Sequence, residues 1–120
     1  MDKLEQIFEL QNALNDELAR RRGLSFDYET WMEKLVLAMQ DELAELLREL
    51  NYKWWKNERE LNAEEIKEEL VDILHFFVSM CLRSGIDANE LYTAYLAKNQ
   101  ENFDRQNGIS KKEGYIAPIG

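Results

Sequence analysis

The strongest constraint on this chain is a pair of helical segments that each place two carboxylates within or beside an apolar stripe. Glu42 and Glu45 lie on the first segment and Glu69 and Asp72 on the second, with 23 residues between the pairs. Within each pair the residues are three apart, so on a helix they share one face, one turn apart. Glu42 falls in the middle of a stripe formed by Trp31, Leu35, Ala38, Met39 and Leu46. The pattern predicts two helices whose packing faces carry charge.

Four carboxylates between two helices allow two interpretations. An acidic pair at this spacing on one surface helix is common and is usually a solvated face. Two converging pairs would instead repel one another and lose hydration, which costs several kcal/mol for each unpaired buried charge. A hard divalent cation would compensate for that cost, and Mg²⁺ keeps positions open for water and substrate phosphates. Spacing alone leaves both the solvated face and the metal site open.

The composition limits the fold and the partners. The 120 residues suit a single domain over 1–120, and 45% of them are hydrophobic. A net charge of −9 argues against nucleic acid or an anionic membrane as the partner. The single cysteine, Cys81, excludes an internal disulfide and fits a reducing compartment. Because there is no secretion signal and no long apolar run, we expect a cytoplasmic protein.

Hydrophobic periodicity and capping signals divide the chain into four helices. The predicted helices cover about 3–22, 28–50, 62–83 and 87 to about 103 or 105, with caps at Asp27, Asn62 and Asp87 and stops at Gly23 and Gly85. The stretch 106–120 has no clear period and is predicted to be a loop or tail. Short connections favour an antiparallel four-helix bundle, and a helical domain this small often completes its core by dimerisation.

Several motifs resemble one protein family. The pairs Glu42-x-x-Glu45 and Glu69-x-x-Asp72 resemble the signature of the all-α nucleoside triphosphate pyrophosphohydrolases, the MazG-like superfamily. Other segments resemble the dimeric dUTPases of that superfamily. These segments are Gln11-Asn-Ala-Leu-Asn15, Trp54-Trp55-Lys56, Asp72-Ile-Leu-His75-Phe76 and Lys98-Asn99-Gln-Glu-Asn102-Phe-Asp-Arg105-Gln106 with Gly114-Tyr115. The matches span residues 11 to 115, which is nearly the whole chain.

The resemblance implies a homodimeric enzyme that hydrolyses dUTP, and also dUDP, to dUMP. It implies two or more Mg²⁺ ions, for which Mn²⁺ can substitute, held by Glu42, Glu45, Glu69 and Asp72. Glu45 would orient or deprotonate the attacking water. Gln11 and Asn15 would read the uracil edge, since an amide supplies both a donor and an acceptor, and Phe76 would stack on the base. The other implied substrate contacts are Trp55, Lys56, Lys98, Asn102, Arg105 and Tyr115.

Three alternatives to a dUTPase remain open. A related pyrophosphohydrolase could act on dCTP or a modified nucleotide, because an amide that flips accepts a cytosine edge as well. A non-catalytic helical adaptor could keep the same fold. A di-iron redox bundle is disfavoured, because such a site uses Glu-x-x-His twice and His75 is the single histidine of this chain.

Overall fold

The computed structural model describes residues 1–114 and contains four helices. In chain order they are α1 (Lys3–Arg22), α2 (Tyr28–Arg48), α3 (Ala63–Arg83) and α4 (Ala88–Gln106). No β-strand occurs within residues 1–114, which confirms the predicted all-α class. Tyr115 and the rest of the predicted tail lie outside the described residues.

Each helix begins at a side chain that caps its first turn. Asp2, Asp27 and Asp87 each accept a hydrogen bond of 2.8 Å from the backbone N–H three residues further on. Asn62 caps α3 by accepting hydrogen bonds of 3.1 Å from the backbone N–H groups of Glu64 and Glu65. A cap of this kind contributes about 1 kcal/mol to helix stability. Gly23 ends α1 in the left-handed conformation with φ of 62°, as its position in the sequence predicts.

The connection between α2 and α3 is tied together at its two ends. The side-chain amide of Asn51 donates to the carbonyl of Arg59 at 2.9 Å and accepts from its N–H at 3.0 Å. The guanidinium of Arg59 also donates to the carbonyl of Arg48, the last residue of α2. α2 therefore ends two residues before the predicted end at Leu50, because a side chain from the connection satisfies its final turn.

α3 is the central helix of the first compact unit of the chain, Met1–Ile86, and it packs against both α1 and α2. At the start of α2, the Trp31 ring lies 4.0 Å from the guanidinium of Arg83 near the end of α3. Close by, Tyr28 Oη and Ser84 Oγ share a hydrogen bond of 2.8 Å. Because the start of α2 meets the end of α3, the two helices are antiparallel. This arrangement brings the two acidic pairs to the same level.

A second compact unit begins at Asp87 and contains α4 and the segment that follows it. Within this unit, Glu101 accepts hydrogen bonds from Arg105 Nε at 3.1 Å and from Ser110 Oγ at 2.6 Å. These bonds tie the chain after α4 back to the helix. Residues 107–114 contain no helix or strand, as predicted for this stretch.

The buried core of the first unit is small, and much apolar surface stays exposed. Its buried apolar side chains are Phe8, Leu35, Val78 and Cys81. By contrast, Leu10 and Leu37 are 62% and 64% exposed. Among residues 1–114, no helix has both the length and the apolar character of a membrane span. The exposed apolar surface is what a chain that dimerises needs, and the homodimer remains a prediction.

Candidate active site

The two acidic pairs meet between α2 and α3. One carboxylate oxygen each from Glu42, Glu69 and Asp72 lies within 4.8 Å of the others. Glu45 is close enough for its charge to act on both Glu42 and Glu69. The antiparallel packing of two helices that each carry an i, i+3 acidic pair therefore gathers the four predicted metal ligands in one place.

Two oxygens of this carboxylate cluster are left without a partner. Glu42 Oε2 and Glu69 Oε2 are buried, and neither accepts a hydrogen bond from an N–H group or a hydroxyl of the described residues. The hydrogen bond open to these two groups is the proton that one carboxylate can share with the other. The four carboxylates also take no part in the ion pairs found among residues 1–114. A buried polar atom without a partner is costly, and a charged one costs more than a neutral one. The cluster is therefore unfavourable to folding as long as nothing positive binds to it.

The electrostatics of the cluster oppose ionisation. Burial, a hydrogen bond with Glu69 and the charge of Glu45 raise the pKa of Glu42 from 4.5 to about 7. For Glu69, the hydrogen bond with Glu42 lowers the pKa, but burial and the charge of Glu45 outweigh it, so that the pKa ends above its usual value. Without a cation, the cluster near neutral pH therefore retains a proton that ordinary carboxyl groups would have released.

The donor set fits a hard divalent cation. All four groups are carboxylates, and oxygen ligands of this kind select Mg²⁺, Mn²⁺ or Ca²⁺ over metals that prefer nitrogen or sulfur. The two partnerless oxygens, on Glu42 and Glu69, are the atoms that a cation would satisfy. A bound cation would also offset the mutual repulsion of the carboxylates, and Glu42 would give up its proton.

A cavity of about 450 Å³ opens next to the carboxylate cluster. Its walls come from α1, α2 and α3 and from the residue after the α1 stop, so it lies wholly within the first unit. Glu42 and Asp72 form its acidic wall. The remaining lining residues are Gln11, Leu14, Asn15, Leu18, Ala19, Leu24, Trp31, Leu35, His75, Phe76, Ser79 and Arg83. Volumes of about 300–1,000 Å³ are typical of small-molecule sites.

Three of the predicted substrate-binding residues line this cavity together with two predicted metal ligands. Gln11 is only 7% exposed, although it is a polar residue on the apolar face of α1. Its Nε2 donates to Asn15 Oδ1 at 2.9 Å, and Asn15 in turn contacts Ser79 of α3. Phe76 adds an aromatic ring to the same lining. The structure thus brings together a polar wall, a ring and an acidic cluster.

The cavity is also lined by residues that the motifs do not indicate. The sequence pattern places Trp31 in the core stripe and predicts no role in the site for Ser79 or Arg83, yet all three face the cavity. Trp31 lies on the same helical stripe as Glu42, and Ser79 and Arg83 follow Asp72 at intervals of seven and eleven residues. Residues at such intervals share one helix face, so the periodicity contained the signal that could have found them.

Five of the other predicted substrate-binding residues lie on segments of the described chain other than those that line the cavity. Trp55 and Lys56 are exposed in the connection between α2 and α3, where the Trp55 ring meets Trp54 edge-on at 5.3 Å. Lys98, Asn102 and Arg105 lie on α4 in the second unit, at intervals that put them on one face of that helix. Tyr115 lies outside the described residues. The roles of all six stay predictions.

Comparison with known proteins finds one family model and two curated relatives that are similar to this chain. A family model described as dUTPase matches residues 3–90, a range that contains the acidic cluster and the cavity. The dCTP pyrophosphatase of Enterobacteria phage T4 is 33% identical over 105 residues, an alignment that covers 67% of this chain and 61% of the relative. The dCTP pyrophosphatase of Enterobacteria phage LZ5 is 48% identical over 42 residues, which cover 35% of this chain and 24% of that relative.

These matches cover only part of each relative. The chain spans 61% of the length of the T4 relative and 24% of the length of the LZ5 relative. No solved structure matches the chain significantly. The family match rests on residues 3–90, which include both acidic pairs but not Lys98, Asn102 or Arg105.

Proposed function

The chain belongs to the all-α dUTPase family, and from this premise we propose that it is a metal-dependent pyrophosphohydrolase of pyrimidine deoxynucleoside triphosphates. Its products would be the nucleoside monophosphate and pyrophosphate. The observation that carries the proposal is the carboxylate cluster, whose oxygens on Glu42 and Glu69 are buried without a partner beside a cavity of nucleoside-binding size. A site that is unfavourable without a cation and opens onto a ligand cavity is typical of metal-assisted phosphate chemistry.

Glu42, Glu69 and Asp72 would hold the metal, and Glu45 would lie beside it. When bound, Mg²⁺ would neutralise charge on the polyphosphate and make water a better nucleophile. Glu45 would accept a proton from the attacking water, whose oxygen forms a bond to phosphorus while the bond from phosphorus to the leaving phosphate oxygen breaks. A positioned general base of this kind contributes about 10²- to 10⁴-fold to the rate.

The cavity would hold the nucleoside. Phe76 offers a face on which a base can stack, and the amides of Gln11 and Asn15 offer donors and acceptors for its edge. We propose that Lys56, Lys98 and Arg105 bind phosphate and sugar. Basic groups at the phosphates would stabilise the negative charge of the leaving group. We also propose Mg²⁺ as the physiological metal and a homodimer as the active form.

The base that the site accepts divides the proposal into two candidates. dUTP is the first, because the matching family is described as dUTPase. dCTP is the second, because both phage relatives are named dCTP pyrophosphatase. Uracil and cytosine differ in their edge groups but not in size, so a cavity of this volume admits either. The non-catalytic adaptor is less favoured, because it has no use for an acidic cluster that destabilises the fold.

A nucleotide panel tests the proposal. The metal-stripped protein is incubated with each common deoxynucleoside triphosphate, with and without Mg²⁺, and pyrophosphate and orthophosphate are measured. We expect pyrophosphate release from dUTP, dCTP or both, and loss of this release in EDTA. Turnover of dCTP without dUTP would reverse the order of the two candidates. An absence of turnover with every nucleotide, by protein that is folded and loaded with Mg²⁺, would contradict the enzyme and favour the adaptor.

A further inference from the structure

A chain of three hydrogen bonds crosses the cavity wall from α1 to α3. Gln11 Nε2 donates to Asn15 Oδ1 at 2.9 Å, Asn15 Nδ2 donates to Ser79 Oγ at 3.1 Å, and Ser79 Oγ donates to the backbone carbonyl of His75 at 2.8 Å. Gln11 and Ser79 are 7% and 4% exposed, so water does not compete freely for these groups. We call this chain of bonds the amide relay.

The direction of the amide relay is fixed at its Ser79 end. A backbone carbonyl can only accept, and a serine hydroxyl has a single proton. Ser79 Oγ lies 2.8 Å from the carbonyl oxygen of His75, whereas the alternative acceptor, Asn15 Oδ1, lies 3.5 Å from Ser79 Oγ. Because the shorter bond takes the proton, Ser79 Oγ is left as an acceptor, and Asn15 must turn its NH₂ group towards it.

The orientation of Asn15 then determines that of Gln11. When the NH₂ group of Asn15 donates to Ser79, Asn15 Oδ1 faces Gln11. Gln11 must then donate to this oxygen through Nε2. The carbonyl oxygen of Gln11 and its second N–H are the groups left for a ligand in the cavity that both residues line. Without the serine hydroxyl, both amides could rotate by 180° and exchange the positions of donor and acceptor.

We propose that Ser79 is a positioning residue that sets the choice between uracil and cytosine, an inference that rests on the proposed function. Uracil carries its donor on the ring N3, between two carbonyl acceptors, whereas cytosine carries its donor on the exocyclic N4 and an acceptor at N3. If stacking holds the base in one place, a fixed acceptor in the cavity wall can bond either to a donor at N3, as in uracil, or to a donor at N4, as in cytosine, but not to both. The other base leaves a buried polar group unpaired.

The test compares Ser79→Ala with the wild type in the ratio of kcat/KM for dUTP to kcat/KM for dCTP. We expect the variant to prefer one base over the other about tenfold less than the wild type does, or less still, because amides that rotate freely can form hydrogen bonds with either base. Values of kcat with the preferred base are expected to change less than KM, since the carboxylate cluster is untouched. Ser79→Thr keeps a hydroxyl that can bond to the His75 carbonyl, and we expect it to keep the wild-type ratio.

Ser84→Ala is the matched control. Ser84 caps the same helix, α3, and its hydroxyl contacts Tyr28 rather than the cavity residues. Removing the Ser84 hydroxyl also breaks a serine hydrogen bond between two helices, but we expect it to leave the dUTP to dCTP ratio unchanged. A wild-type ratio near one, or a Ser79→Ala ratio within twofold of the wild type, would overturn the proposal. Loss of folding in Ser79→Ala would leave Ser79→Thr and the spectra described next to decide.

Two further measurements separate this inference from the proposed function. In nuclear Overhauser spectra of the wild type, the side-chain NH₂ protons of Asn15 should lie close to the β protons of Ser79. If these NH₂ protons were close to Gln11 and not to Ser79, the hydrogen bonds of the amide relay would run in the opposite direction. Titration with dUMP and dCMP should show a ratio of dissociation constants that shifts in Ser79→Ala. If the wild type hydrolyses neither triphosphate, the proposed function fails, and these two measurements still decide the role of Ser79.

Discussion

Glu45→Gln is expected to lower kcat by about 10²- to 10⁴-fold at saturating Mg²⁺, while the protein still folds. The amide has nearly the size of the carboxylate but cannot accept a proton from water. Glu45 lies beside Glu42 and Glu69, and its charge raises the pKa of both. It does not contribute to the group of three carboxylate oxygens that lie within 4.8 Å of one another. It is therefore the carboxylate best placed to act as a base.

The measurement is steady-state kinetics over a range of Mg²⁺ concentrations, because Glu45 is also a predicted ligand. A variant whose activity returns at high Mg²⁺ has lost affinity for metal, whereas one that stays inactive has lost the base. Glu33→Gln is the control, since Glu33 is an exposed residue of the same helix. Glu45→Gln turnover within tenfold of the wild type at saturating Mg²⁺ would remove Glu45 from the chemistry.

Glu42→Gln is expected to stabilise the metal-free protein and to abolish its activity. The side chain of Glu42 has a buried oxygen without a partner and faces three other carboxylates. Glutamine removes one of the like charges without leaving a void. We expect the metal-free melting temperature at pH 8 to rise by a few degrees, as a gain of about 1 kcal/mol would produce in a domain of this size. Sites shaped by function rather than stability respond in this way.

The stabilisation should depend on pH in a defined direction. The pKa of Glu42 is about 7 in the folded protein and 4.5 in an ordinary carboxyl group. Between these values the folded protein keeps a proton that the unfolded chain has released, so the contribution of this group to the free energy of unfolding falls as pH rises from 4.5 to about 7 and is constant above that. Glutamine does not titrate, so the variant does not lose this part of its free energy of unfolding as pH rises. The difference in melting temperature between variant and wild type should therefore be small near pH 4.5 and largest at pH 8.

Thermal denaturation in EDTA at several pH values, with Glu33→Gln alongside, measures this effect. Adding Mg²⁺ at pH 8 should raise the melting temperature of the wild type more than that of Glu42→Gln, because a cation stabilises the folded state according to how tightly it binds there. A metal-free Glu42→Gln that melts below the wild type at pH 8 would show that this carboxylate is a structural group rather than a ligand waiting for a cation.

The helices and the acidic cluster were accessible from the sequence because both follow from local rules. Caps at Asp27, Asn62 and Asp87 and the stop at Gly23 act through neighbouring backbone groups, so their effect can be read from a few residues. The convergence of the acidic pairs required only that two adjacent helices pack through the faces that carry them. The predicted end of α2 at Leu50 is two residues too late, because the carbonyl of Arg48 accepts a hydrogen bond from Arg59, which lies eleven residues further along the chain.

The cavity was less predictable, because it depends on which helices pack against each other. Trp31 and Arg83 come together only when α2 and α3 are antiparallel with a particular offset, and a stripe on one helix does not reveal that offset. The amide relay joins Asn15 to Ser79 across 64 residues. A buried serine in an apolar stripe has no distinctive sequence pattern, so its role becomes visible only once its partner is known.

Titration of metal-stripped protein with Mn²⁺, followed by the electron paramagnetic resonance signal of the free ion, measures whether the carboxylate cluster binds a divalent cation. We expect the wild type to remove at least one Mn²⁺ per chain from solution, Mg²⁺ to compete for the site, and Glu42→Gln to bind at least tenfold more weakly. Glu33→Gln should bind as the wild type does. A wild-type protein that leaves the free Mn²⁺ signal unchanged would contradict the claim that the four carboxylates between α2 and α3 form a metal centre.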